Sequence, residues 1–280
     1  MTAAQTLASQ AKAQPFEGVM APVVTPFRAD LSVDVERYIA HNKWLLSQKC
    51  DALAVFGTNS EANSMSVSER NDLLDRLIEA GIPGSKMMPG TGGCALPDAV
   101  AATRHAVARG CGGVLMLPPF YYKGVSDEGL FRHFSEVVQR VGDAKLRIYV
   151  YHIPPVAVVG ITPALVERLL KAYPNQIAGM KDSSGDWNNT KTFLDNFAKS
   201  GFDVFAGSES FLLRNMRNGG VGVISATANV NPAEIHKLYM EWKNSDADEQ
   251  QKRLDVVRDA FGKKYVMIPA LKQGIAIYAN

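Results

Sequence analysis

Short β-rich runs alternate with longer stretches of helical period eight times along this chain, and that repeat constrains the fold more than any other feature. The runs occupy 19–24, 52–56, 86–89, 113–117, 147–151, 177–181, 203–206 and 221–225, each mostly apolar and bounded by turn residues. Helical starts are legible between them. Ser66-Val-Ser-Glu69 has the spacing of a capping box, Thr162-Pro163 sets an N-cap before a first-turn proline, and Asn231-Pro232 repeats that device. Further helices are expected at about 33–48, 97–109, 127–141, 187–199 and 209–218. The strands lack polar alternation, as expected where both faces of a sheet are buried. Length alone would suggest about two domains, yet single α/β barrels commonly reach about 250 residues. No linker or shift in composition divides the chain. The expected fold is therefore one α/β domain, a (β/α)8 TIM barrel with a C-terminal helical extension. Its core spans 15–230, the eighth helix and further helices at about 247–261 and 266–278 fill 231–280, and 1–14 form a flexible N-terminal tail.

Charge and composition exclude several function classes. Thirty basic side chains against 28 acidic ones leave a formal charge of +2, too weak a field to gather nucleic acid, and no dense Lys/Arg cluster occurs. No apolar run reaches the roughly 18 residues of a membrane span. The first 14 residues carry no apolar segment of a secretory signal. Three cysteines, Cys50, Cys94 and Cys111, form no C-x-x-C pair, and the five histidines show no H-x-x-x-H spacing. The expectations are a reducing cytoplasm, no metal site and no cofactor.

Barrel active sites lie at the C-terminal ends of the strands, so polar residues there are the candidates. Lys181 ends the apolar run Ile177-Ala-Gly-Met180. Desolvation would favour its neutral amine, a nucleophile toward carbonyls; the alternative is a strand-end lysine reaching solvent along its stem. Tyr151 closes the preceding strand and could move protons for such an amine, or it could simply pack there. Thr58 could relay protons to that phenol. The loop Gly57-Thr-Asn-Ser-Glu61 suits a small carboxylate, although turn chemistry explains the same residues. Gly207 directly follows the seventh run. Tyr121 and Tyr122 fit packing or an interface as well as catalysis. Gly90-Thr-Gly-Gly-Cys-Ala95 matches a dinucleotide fingerprint, but the next strand ends without the required acid, so close backbone approach explains the glycines better. No G-x-S-x-G or Walker loop occurs.

Taken together, Gly18-Val-Met-Ala-Pro-Val-Val-Thr25-Pro26-Phe27, Gly57-Thr58-x-x-Glu61, Pro119-Phe-Tyr-Tyr122, Tyr151-x-Ile-Pro154, Gly179-Met-Lys181-Asp182 and Gly219-Gly-Val-Gly-Val-Ile-Ser-Ala-Thr-Ala-Asn229 resemble the dihydrodipicolinate synthase and N-acetylneuraminate lyase superfamily from about residue 16 onward. The resemblance implies a class I mechanism in which a 2-keto acid, usually pyruvate, condenses with Lys181. Tyr151 would transfer protons, and Thr58 and Asn59 would hold the keto-acid carboxylate. Tyr122 would reach across a tight dimer into the neighbouring subunit's site. The Ile224 carbonyl would lie near the lysine. A homo-oligomer, a dimer of dimers, is implied, as is a further segment after Asn280.

Departures bear on the substrate. Dihydrodipicolinate synthases carry an arginine two residues past the Tyr-x-x-Pro motif; Val156 stands there in this chain and cannot form a bidentate pair with a carboxylate. Positions that bind feedback lysine in the biosynthetic enzymes are Val67, Arg70 and Cys94. Asn59 and the run Met180-Lys-Asp-Ser-Ser-Gly-Asp186 look more like the 4-hydroxy-2-oxoglutarate aldolase branch, in which Ser183 would contact substrate. His152 and Trp187 fit neither branch; His152 is expected to line the substrate pocket, or else to be a hydrogen-bonded core residue. The resemblance implies a metal-free lyase, with retro-aldol cleavage favoured over a sugar-acid dehydratase or a 4-hydroxy-tetrahydrodipicolinate synthase. Outside the enzymes stands a keto-acid-binding paralogue without turnover.

Overall fold

The computed structural model describes residues 16–278. The tail expected at 1–14 and any segment past Asn280 lie outside the described residues. Seven strands, β1 (Gly18–Ala21), β2 (Ala52–Leu53), β3 (Val114–Met116), β4 (Ile148–His152), β5 (Ile177–Asp182), β6 (Asp203–Ala206) and β7 (Gly222–Ile224), form one parallel sheet in the order β2-β1-β7-β6-β5-β4-β3.

The strand expected at 86–89 is reduced to an extended segment. Gly84–Lys86 is a 3-10 turn, and Pro89 has no N–H to give to a ladder. The segment nevertheless bonds on both sides. Met88 and Gly90 N–H donate to the carbonyls of Leu53 (2.9 Å) and Val55 (2.7 Å), while Leu115 N–H donates to the Pro89 carbonyl (2.9 Å) and Thr91 N–H to the Leu115 carbonyl (3.1 Å). It joins β2 to β3 and closes an eight-stave (β/α)8 barrel.

Eleven α-helices surround it among the described residues: α1 (Val35–Ser47), α2 (Val67–Glu79), α3 (Leu96–Ala108), α4 (Asp127–Val141), α5 (Pro154–Ala157), α6 (Pro163–Ala172), α7 (Trp187–Phe197), α8 (Leu212–Arg217), α9 (Pro232–Glu241), α10 (Ala247–Gly262) and α11 (Met267–Tyr278). The capping box at Ser66 and Glu69 forms in both directions, and Thr162 accepts from the Leu165 N–H at 3.1 Å. Asn231 precedes α9 without a side-chain cap bond, so there the proline alone sets the start. The helix expected at 209–218 splits into a 3-10 turn, Glu209–Phe211, and α8.

Strand alternation sorts the core into two layers. Met20, Ala52, Ala54, Met88, Leu115, Tyr149, Tyr151, Phe205 and Ile224 fill the barrel interior. Val19, Leu53, Val55, Met116, Val150, Met180, Val204 and Val223 face outward to the helices. Each fully buried side chain of this size contributes roughly 1.5–3 kcal/mol, and the inner group plugs the barrel beneath its mouth. At the C-terminal ends of the strands, the buried carboxylate of Glu209 accepts from Ser225 Oγ and Thr227 Oγ1 and meets Arg258 of α10 at 3.4 Å, tying the C-terminal helices to the ends of β6 and β7.

Candidate active site

Register places the central pair. Tyr151 of β4 lies directly beside Lys181 of β5, and both side chains turn into the barrel. Both are buried, and Lys181 Nζ donates to Tyr151 Oη at 3.2 Å while lying 4.4 Å from the centroid of the phenol ring. Burial pushes the Tyr151 pKa up, but the Lys181 charge and hydrogen bonds from Thr58, Ser183 and Lys181 outweigh it, so the phenol sits below its ordinary value. Tyr149, two residues earlier on the same inner face, shows the opposite: burial and the adjoining Asp203 carboxylate, whose Oδ2 accepts its hydroxyl at 2.8 Å, drive its pKa up.

A cavity of about 250 Å³ opens at the strand ends, with Thr58, Glu61, Tyr151 and Val156 among its walls. Lys181 is not one of them; the Tyr151 phenol is the member of the pair that faces the cavity. Its floor uses close backbone approach, as expected for the Gly90-Thr-Gly92 run. A Cβ on Gly90 would fall 2.2 Å from the Phe56 carbonyl oxygen, and one on Gly92 would fall 2.3 Å from Leu117 N. The loop from Gly57 to Glu61 is held under strain, since Phe56 and Glu61 at its ends have φ of +59° and +54°. Ser60 anchors it by donating to the Val23 carbonyl. Asn59 presents a buried Nδ2 with no partner.

Ser183 and Gly207 meet where β5 and β6 end. Ser183 N–H donates to the His152 carbonyl and Gly207 N–H to the Asp182 carbonyl, each at 2.7 Å. A Cβ on Gly207 would fall 2.0 Å from Ser183 Oγ, so only glycine leaves room for that hydroxyl. Ile224 lies in the inner core with Tyr151.

Two expected residues are not brought to this group. His152 points the other way from Tyr151, because successive strand residues alternate. Its Nδ1 accepts from Ile161 N–H at 2.8 Å, which leaves the proton on Nε2, and its ring packs against Phe193 of α7. Burial holds its pKa down against the opposing pull of Asp182. The expectation that His152 lines the substrate pocket is thus corrected: it is a core residue between barrel and helices. Tyr122 is 75 % exposed, with its ring 5.1 Å from that of Tyr121, and has no place in the site of its own chain.

Sequence reasoning passed over Asp182. It is buried on the outer face and accepts from Ser184 N–H (2.9 Å), Asn189 Nδ2 (3.1 Å) and Thr190 Oγ1 (2.5 Å), stapling the turn that carries Ser183 to α7. An acid next to a strand-end lysine, with Asn and Thr seven and eight residues on, was the available signal. Among the described residues no group of three or more His, Cys, Asp or Glu side chains is arranged to hold a metal ion. No described helix is long and apolar enough to cross a membrane.

Comparison with known proteins agrees with this fold. A family model described as the dihydrodipicolinate synthetase family matches residues 15–278. A DapA-like lyase of Chloroflexus aurantiacus is 32% identical over 244 residues, 86% of this chain and 80% of that protein. The crystal structure of dihydrodipicolinate synthase from Agrobacterium tumefaciens superposes with a TM-score of 0.86 at 34% identity, covering 95% of this chain and 90% of the other. A prophage protein of the dihydrodipicolinic acid synthase family from E. coli K12, solved in complex with pyruvate, gives a TM-score of 0.84 at 26% identity, with 94% and 88% covered. With a match running from one end of the barrel to the last described helix, the chain belongs to the dihydrodipicolinate synthetase family and is a lyase.

Proposed function

We propose that this lyase forms an imine between Lys181 Nζ and the C2 carbonyl of a 2-keto acid, pyruvate or a 4-hydroxy-2-keto acid, and makes or cleaves the C3–C4 bond. The observation that carries the reading is the buried Lys181–Tyr151 contact at 3.2 Å, beside a cavity at the strand ends. The pyruvate complex of the E. coli relative supports it.

In the cleavage direction, the Tyr151 phenolate takes a proton from the Lys181 ammonium, the freed amine attacks C2, and the carbinolamine loses water as Tyr151 returns that proton to the leaving hydroxyl. The lysine stem lets Nζ swing off the phenol ring to meet the carbonyl. Tyr151, as phenolate, takes the C4 hydroxyl proton. The C3–C4 electron pair flows into the iminium, an aldehyde leaves, and an enamine remains. Protonation of C3 and addition of water return pyruvate and the free amine, so the cycle closes without a metal or cofactor. Thr58 tunes the phenol, and the unpaired Asn59 Nδ2 suits the keto-acid carboxylate. Ser183, given room by Gly207 and bonded to the Tyr151 phenol, contacts the substrate, and Ile224 backs the pair. The exposed Tyr121–Tyr122 edge supports a homo-oligomer in which Tyr122 enters a neighbour's site. Three free cysteines fit a reducing cytoplasm.

Borohydride reduction with pyruvate, followed by peptide mass spectrometry, tests the reading. A reduced pyruvate adduct on Lys181 is expected; an unmodified Lys181 would sink the imine mechanism and favour a paralogue that only binds keto acids.

A further inference from the structure

Beyond the Gly57–Glu61 loop, the cavity has an apolar wall that includes Leu117, Phe120, Ile153, Val156 and Ala157. No lysine or arginine lines it. Two cations that touch its lining residues are already engaged. Lys123 Nζ donates to the carbonyls of Phe120 and Ala157, the latter at 3.1 Å, and so faces the backbone behind the wall. Lys272 pairs with Glu61 and lies 4.7 Å from the Phe27 ring centroid. Glu61, itself a lining residue, is therefore a paired carboxylate.

The apolar wall is also fixed in place. Val158, directly after α5, has φ of +66°, a conformation that is a genuine outlier for a β-branched residue. Its N–H donates to the Pro154 carbonyl at 2.9 Å, while Lys123 holds the Ala157 carbonyl. Strain of this kind persists only where the surroundings over-determine it. It holds Val156 at the rim, 62 % exposed before substrate arrives.

We infer that the aldehyde half of the substrate is uncharged and presents hydrocarbon, alkyl or aryl, to the wall of Phe120, Ile153 and Val156, and that Val156 is a specificity-determining residue. The inference rests on the imine reading of Lys181 and extends it to the other half of the substrate. A carboxylate at this position would lose water and find no lysine or arginine among the lining residues to replace it. A hydrocarbon group would bury apolar surface on both sides.

The test uses the wild-type protein with pyruvate and four aldehydes: butanal, benzaldehyde, glyceraldehyde and succinate semialdehyde, the last being butanal with a terminal carboxylate. Borohydride trapping with pyruvate is run on the same preparation. Butanal or benzaldehyde is expected to exceed succinate semialdehyde in kcat/KM for condensation by about 10- to 100-fold, the range set by one unmatched charged group. If the pyruvate adduct forms but the hydrocarbon aldehydes fail, or if succinate semialdehyde or glyceraldehyde matches them, the inference is overturned. Absence of the adduct overturns the imine reading instead. Val156→Arg, at an exposed rim position that accepts a longer side chain, is expected to shift the ratio at least about tenfold toward succinate semialdehyde. A ratio unmoved in a variant with the wild-type circular dichroism spectrum would remove Val156 from its assigned role.

Discussion

Tyr149 and Tyr151 occupy one face of one strand, yet their phenols are pushed in opposite directions, because one faces a carboxylate and the other an ammonium group. The proposed chemistry depends on that contrast. Replacing Tyr151 by Phe should lower kcat by roughly 10²- to 10⁴-fold, the usual worth of a general acid–base group, while slow borohydride trapping at Lys181 survives. Thr58→Val supplies the pH test. Removing a hydrogen bond that lowers the Tyr151 pKa lets that pKa rise, so the phenolate forms at higher pH. The acidic limb of kcat/KM should therefore move to higher pH, read from a full pH profile; an unmoved or downward limb would contradict phenolate catalysis. His152 is instructive for another reason. Its place at a strand end suggested the pocket, but the two-residue period already implied that Tyr151 and His152 cannot share a face.

At the scale of elements, local sequence signals worked where they acted through the backbone. The Ser66–Glu69 box forms because both side chains reach N–H groups within one turn. Ser66→Ala should cost about 1 kcal/mol and lower Tm by about 2–4 °C for a chain of this size, measurable by thermal unfolding. Signals were weaker where pairing with distant segments decided the outcome. The Met87–Gly90 segment is a stave only because Leu53, Val55 and Leu115 supply partners on both sides; in sequence, its proline and flanking glycines blur it. Asp182 looked like one more polar residue after Lys181, and its meaning emerged from the donors of α7.

Across the whole molecule, the fold brings Thr58, Tyr151, Lys181 and Ser183 into contact, whereas His152 faces the helices and Tyr122 faces outward. If Tyr122 serves a neighbour, mixing Tyr122→Ala with Lys181→Ala after reversible dissociation should restore about a quarter of the wild-type rate, since half the dimers are hybrids with one complete site each. No recovery on mixing would place Tyr122 outside the neighbour's site. The sequence by itself determined the barrel, the order of its helices and the Lys181–Tyr151 pair, because hydrophobic period, caps and motif spacing are properties of neighbouring residues. Only the tertiary structure decided which strand-end side chains face the interior, which carboxylates are stapled away from it, and how Lys123, Lys272 and Val158 leave an uncharged wall at the mouth. Those facts depend on contacts between residues far apart in the chain, and on burial that makes an unpaired charge costly.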